Sequence, residues 1–314
     1  MADETVSLEQ PQAAPQPWRL RLRRWRRRND LSAYLFILPS FLILTMFSFI
    51  PVFFAVGLSF FDWDLIGSPK FVGLKQYALL HQDPMYWKSL VNTVYYTVGT
   101  VPLDIFCALG VALLLSASIK GVGIYRTIYF IPVITSLNAV AIVWKWIYHP
   151  NYGLLNKLIA FLGIDPQLWL LDPKLAMPSL ILMSVWKGMG YNVIIFLNGL
   201  MNVPQYLYEA AEVDGANAWH KFRNITWPLL TPVTFFVLVM STISAFRVFA
   251  QIYMMTPTGG PANSTNVVVF YLYNLAFSDM RFGYASAMAF ELFLIIFTFT
   301  LIQRRLAERR VHYQ

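Results

Sequence analysis

The sequence predicts an all-α membrane protein of six transmembrane helices, with a polar helix-turn-helix loop between spans four and five. Three observations lead there. Hydrophobic residues make up 57% of the chain and charged residues 13%, against about a quarter charged in soluble domains. Six apolar runs are each long enough to cross roughly 30 Å of hydrocarbon as a helix, and none alternates like a membrane barrel strand. One internal stretch, Asn202 to Pro232, abandons this composition for Glu, Asp, Lys, Arg and Asn side chains.

The chain opens with residues 1–29, where Pro, Gln and Ala precede Arg19, Arg21, Arg23, Arg24, Arg26, Arg27 and Arg28. So dense a charge resists burial, and beside a membrane span it reads as a topogenic tail that stays in the cytoplasm. The first span, Ala33 to Phe61, runs 29 residues without a charge, too long for the core of a cleaved signal peptide. Pro39 and Pro51 are expected to kink it. The other spans are Leu90 to Leu115, Thr127 to Ile147, Leu175 to Asn198, Leu229 to Gln251 and Tyr284 to Ile302. The domain division is therefore the basic tail, a six-span region over 30–305 containing the loop 202–228, and a short C-terminal tail over 306–314.

Six spans place both termini on one side, and counting Lys and Arg outside the spans shows which side. With the N-terminus in the cytoplasm, fifteen fall on cytoplasmic pieces and six on outer ones, as the positive-inside rule requires. The 202–228 loop is then cytoplasmic. The net charge of +8 follows from this asymmetry and marks no nucleic-acid partner. Of the outer connections, the last contains Thr256-Pro257-Thr258-Gly259-Gly260-Pro261, which cannot continue either flanking helix. It is either a partner contact or a plain loop.

Phosphate loops of the GxxxxGK[ST] type, HExxH, GxSxG and CxxC pairs are absent, and His81, His149, His220 and His312 are scattered. The chain thus has no means of hydrolysing ATP, no metal site and no catalytic residue. Solute moved uphill would need energy from another subunit or from an ion gradient. The single Cys107 is a packing residue. Five charged groups lie within spans, where charge is costly and marks function. Lys145 and Arg247 are close enough to the outer face to reach it with their long stems. Asp104, Lys187 and Glu291 lie deeper and must face the bundle interior, pair with one another, or be neutral. In span four, Trp186, Tyr191 and Asn192 accompany Gly188 and Gly190. Aromatic faces and an amide suit a sugar, so these three are candidate solute-path residues; helix packing is the competing explanation.

In the polar loop, Pro204 fits the first turn of a short helix that Asp214-Gly215 ends. Asn217 can cap a second, carrying Trp219, Phe222 and Ile225 every third residue until Pro228 stops it. Glu209-Ala210-Ala211, two residues, Asp214-Gly215-Ala216, then Phe222, Ile225, Pro228 and Pro232 resemble the signature loop of binding-protein-dependent ABC importer permeases; Trp227 replaces the more frequent Leu. The resemblance implies that this loop couples the spans to an ATPase, with Glu209, Ala210, Ala211, Asp214, Gly215, Ala216, Phe222, Ile225 and Pro228 at the contact. It extends along the chain through Tyr34 to Pro39, Phe71 to Leu74, Asn92-Thr93, Tyr129 to Pro132, Trp144 to Trp146, Tyr152 to Asn156 and Gly260 to Thr265. These stretches are similar to the carbohydrate branch, and within it to the larger maltose permease subunit, whose extra N-terminal spans and large external domain are lacking here. The resemblance implies a multi-pass cell-membrane protein assembled in lipid with a second permease subunit, two ATPase subunits and an external solute-binding protein. ATP and Mg would sit on the ATPase and no cofactor on this chain. Its solute would be a sugar, a polyol or glycerol phosphate.

Overall fold

The computed structural model describes residues 32–64, 66–116 and 122–308; the basic tail, Lys120 and the C-terminal residues from 309 lie outside it. Two compact units are present, residues up to Gly57 and from Leu58 onward. Five described helices are long and apolar enough to cross a bilayer, and a sharply bent helix pair makes six if counted as one span.

The described residues of the first unit form one helix, α1, which spans Ser32–Leu58 and so includes the first residue of the next unit. Its Phe36, Phe47 and Phe53 are exposed, as expected for a helix that is apolar all round. Pro51 lacks an N–H and crowds the preceding turn, and the backbone absorbs this in a π turn over Thr45–Phe49.

The second unit begins with a two-residue antiparallel pair, β1 (Phe61–Asp62) and β2 (Lys70–Phe71), with Phe61 opposite Phe71. The short helix α2 (Lys75–Gln82) then leads into α3 (Pro84–Ser116). Asp83 starts α3: its carboxylate accepts the Met85 backbone N–H at 2.8 Å, and it also takes the hydroxyls of Tyr271 at 2.7 Å and Tyr284 at 2.8 Å. Partial burial works to raise the Asp83 pKa, but the donated hydrogen bonds outweigh it and hold the carboxyl below the usual range.

Span three is not the continuous helix expected over Thr127 to Ile147. It divides into α4 (Val122–Ile134) and α5 (Leu137–Ile147), inclined at 98° across Thr135 and Ser136. Pro132 withholds a donor within the last turn of α4, and Ser136 is extended with ψ 134°. The short α6 (Leu154–Ala160) follows, with the Asn156 amide clamping Pro150, Gln167 and Trp169.

Span four is α7 (Ala176–Met201). It packs along α3 as the most extensive helix pair of the bundle. Ile181 of α7 lies over Gly99 of α3, and Gly190 of α7 comes so close to Tyr129 of α4 that any Cβ would strike the tyrosine carbonyl. Gly188, by contrast, opens onto space. After the polar hairpin, α9 (Ala218–Phe246) lays Leu230 and Val237 against Ala108, Ala112, Phe196 and Leu197 to close one core cluster.

Span five was expected to reach Gln251. It stops at Phe246, and after a break at Phe249 (φ −143°, ψ −59°) the chain makes the separate α10 (Ala250–Met255). The expected outer loop over Ile252 to Gly283 is in large part core. The chain does leave helical structure from Thr256 as predicted, with a short 3₁₀ turn at Pro261–Asn263 and positive φ at Gly259, Gly260, Ala262 and Asn263. α3 holds this stretch in place: Lys88 Nζ donates to Ala262 O at 2.6 Å, the Asn92 amide to Asn263 O and Asn266 O, and Thr93 Oγ1 accepts the Val268 N–H. Thr265 is fully buried and donates to Thr256. Next, α11 (Val268–Phe277) sinks Val268 and Phe270 into the bundle, and α12 (Phe282–Glu308) completes it.

Two predictions follow from this packing. Gly190→Val should destabilise the purified protein by about 1–3 kcal/mol through overpacking, while Gly188→Ala should be near neutral; thermal unfolding in detergent compares them, and equal losses would contradict the close approach at Gly190. Asp83 has a folded pKa below its unfolded value, so its contribution is full above about pH 4 and is lost as pH falls through the folded value. Asp83→Asn should therefore lower the unfolding midpoint at pH 7, with the gap to the native protein narrowing on acidification below about pH 4.

Candidate functional site

The polar loop folds as a compact hairpin. α8 (Gln205–Val213) follows Pro204, which stands just before the helix at its N-cap (φ −61°, ψ 127°). The turn uses two hydrogen bonds, Ala216 N–H to Ala211 O at 2.8 Å and Gly215 N–H to Glu212 O at 3.0 Å, with Gly215 at φ +76°. This is the Schellman arrangement, which satisfies end carbonyls and calls for a left-handed residue at the position of Gly215. Asn217 Oδ1 accepts the His220 backbone N–H at 2.9 Å and caps the start of α9. Lys221 bridges to Glu212 at 2.8 Å across the hairpin, and this hydrogen bond lowers the Glu212 pKa. Both groups are solvated enough that the pair adds little stability.

Pro228 does not end the second helix as predicted. A π turn over Phe222–Thr226 precedes it, so the helix runs on as a single 29-residue element from Ala218 to Phe246. One extra residue in the turn gives the proline ring room where an α-turn would clash. The hairpin is thus joined rigidly to span five. Tyr208 ties α8 to the same place through its hydroxyl, 2.9 Å from Thr226 Oγ1.

Glu209, Ala210, Asp214 and Gly215 are exposed, whereas Ala211, Ala216, Phe222, Ile225 and Pro228 are half-buried and form the inner wall of the hairpin. Trp219 stacks on Phe222 at 5.8 Å and is still 62% exposed; Val213 is 89% exposed. Large apolar groups are thereby presented beside the exposed carboxylates of Glu209 and Asp214.

The second candidate place is a cavity of about 470 Å³ between α3, α4, α5, α7, α9 and α10, lined by Tyr96, Thr100, Asp104, Lys187, Tyr191, Asn192, Ser241 and Gln251 among others. Asn192 donates its amide to Asp104 Oδ2 and to Ser241 Oγ, joining α7 to α3 and α9. Lys187 does not pair with an acid. Its ammonium sits 3.4 Å from Pro132 O and 3.5 Å from Val133 O, carbonyls that the end of α4 leaves without a helical donor. Glu291 lies elsewhere, 3.3 Å from His81 of α2. The three deep charges thus have three different settings, and none pairs with another.

Of the three solute-path candidates, Tyr191 and Asn192 line this cavity and Trp186 does not: it packs edge-on against Trp144 at 5.5 Å and is 40% exposed. Thr100, Ser184, Ser241, Ser244 and Gln251 also line it and were missed from sequence. A signal existed. Ser184, Lys187, Gly188 and Tyr191 recur at helical spacing on α7, as do Thr100 and Asp104 on α3 and Ser241 and Ser244 on α9.

Residues 31–312 match the family described as the inner membrane component of binding-protein-dependent transport systems. The chain belongs to that family. This permease is 41% identical over 292 residues to the probable ABC transporter permease protein YesP of Bacillus subtilis (strain 168), covering 92% of this chain and 94% of the relative. It is 34% identical over 290 residues to the lactose transport system permease protein LacF of Rhizobium radiobacter, covering 91% and 97%. Among solved structures, a chain of a bacterial ABC transporter involved in the import of the acidic polysaccharide alginate superposes with a TM-score of 0.79 at 23% identity, over 92% of this chain and all of that one; this likeness speaks for the fold.

Asn192→Leu in the permease should cost about 1–3 kcal/mol, because the Asp104 carboxylate would stay buried with its donor gone. Replacing both Asp104 and Asn192 with Leu should recover part of the loss. Thermal unfolding in detergent measures the cycle; strictly additive losses would show that the two side chains are not coupled.

Proposed function

We propose that this permease is the membrane-spanning subunit of an ATP-driven importer for a sugar or a related polyol or phosphorylated glycerol. It works with a second permease subunit, two ATPase subunits that bind ATP and Mg, and an external solute-binding protein. The observation that carries this is the hairpin: a Schellman turn and a continuous helix make it rigid, and its exposed face combines Val213 and Trp219 with Glu209 and Asp214. An exposed apolar face on a rigid element suits a partner surface. The excess of Lys and Arg on the same side supports a cytoplasmic setting for that partner and for both termini.

The mechanism is alternating access. The loaded binding protein docks outside, ATP closes the ATPase dimer, and the 202–228 hairpin moves with the subunit that grips it. Because α9 runs unbroken from Ala218 to Phe246, displacement at the hairpin is transmitted along the helix to Ser241 and Ser244 on the cavity wall. Hydrolysis resets the cycle. The alternative, a self-sufficient carrier using Asp104 and Glu291 as an ion relay, lacks support in the geometry, since Asp104 lines the cavity and Glu291 lies with His81 outside its lining.

Gly215→Val tests the coupling. A β-branched residue at φ +76° costs about 1–2 kcal/mol locally, so the turn should change conformation while the spans stay folded. Expressed with its native neighbours, the native chain should retain an ATPase through purification, and the variant should hydrolyse ATP without moving solute or lose the ATPase altogether. Failure of the native chain to retain any ATPase would end the proposal.

A further inference from the structure

Asp104 is 94% buried by its 6% exposure, yet only one of its carboxylate oxygens is hydrogen-bonded. Oδ2 takes the Asn192 amide and the carboxylate is also in reach of the Ser241 hydroxyl, while Oδ1 is buried without a hydrogen-bond partner. A buried acceptor left open is unusual, because the desolvation it suffers is not repaid by a donor. Asp104 lines the 470 Å³ cavity together with Ser184, itself 8% exposed, and Thr100, one turn away on α3. The cation that shares the lining, Lys187, is directed at the carbonyls of Pro132 and Val133. The cavity therefore holds an anion with a free acceptor and a cation already engaged by backbone oxygens.

We propose that Asp104 is a specificity-determining residue of the solute cavity, its open oxygen receiving a hydrogen-bond donor from the solute, a hydroxyl or an ammonium, and disfavouring sugars that bear a carboxylate. This rests on the proposed importer function and on reading the cavity that Tyr191 and Asn192 line as its solute path. A carboxylate has acceptors only, so it rewards a solute that brings donors. It rewards most a solute that brings a donor with positive charge, since charge-assisted hydrogen bonds are roughly twice as strong as neutral ones. A uronate in the same place would set two like charges together in a dry setting.

Gly188 supplies a probe position, because it lines the cavity and a side chain there meets nothing within 4 Å. In the assembled transporter, with the native thiol removed by Cys107→Ala, Gly188→Cys would be modified by methyl methanethiosulfonate, and protection by glucosamine, glucose and glucuronate compared at about pH 6.5, where the amine is charged. Glucosamine is expected to halve the rate at a concentration about tenfold below that needed with glucuronate, with glucose between them. Asp104→Asn, which preserves shape, should collapse the order towards one. An order that survives Asp104→Asn, or that reverses in favour of glucuronate, overturns the inference. Equal protection by all three sugars sinks it while leaving the cavity as the solute path; no protection by any of them removes the cavity assignment too.

Discussion

The packing of α3 against α7 is the contact from which the remaining arrangement follows. Gly99 lets Ile181 come close, and along this seam Tyr96, Leu180 and Met183 contribute to one core cluster and Ala108, Ala112, Phe196 and Leu197 to another. Between those apolar layers the seam carries Asp104 and Asn192, one from each helix. Because lipid offers no hydrophobic drive between helices, such packing depends on small residues and on polar groups that find partners. The glycine contacts and the Asp104–Asn192 bond supply both. Where α4 and α5 turn away from each other beside this seam, space remains, and that space is the cavity.

The break in span three shows how a bilayer protein tolerates irregular backbone. Carbonyls freed within the membrane need donors, and the ammonium of Lys187 stands opposite Pro132 and Val133. Of the settings the sequence left open for this charge, pairing with a deep acid is not the one adopted; it is set against a helix end, where the dipole favours a cation. Asp83 performs the inverse service, gathering the start of α3 and the hydroxyls of Tyr271 and Tyr284 onto one carboxylate. The two charges hold irregular joints in place, one at the end of α4 and one at the start of α3.

At the other end the hairpin is stabilised almost entirely by its own residues. Its turn is closed by backbone hydrogen bonds, its second helix is capped by Asn217, and its two arms meet through Tyr208 and Thr226. Nothing in it requires burial by the bundle, which leaves Trp219, Val213 and the Glu209 carboxylate free for a partner. Rigidity comes from its direct continuation into α9.

The spans and the hairpin's turn were legible in the amino-acid order because each rests on local chemistry: continuous hydrophobicity, and a glycine where φ must be positive. Even here one local inference failed at Pro228, since a π turn carries the helix past a proline when tertiary contacts hold both sides. The anchoring of the Thr256–Asn266 stretch on α3, the division of span three and the separation of Trp186 from Tyr191 and Asn192 were not legible. Each depends on which helix face meets which neighbour, and in a chain where nearly every face is apolar, hydrophobicity carries no information about that choice. It is made by the few glycines and polar side chains whose partners lie about 50 to 175 residues away in sequence, such as Asn192 with Ser241 and Thr93 with Val268.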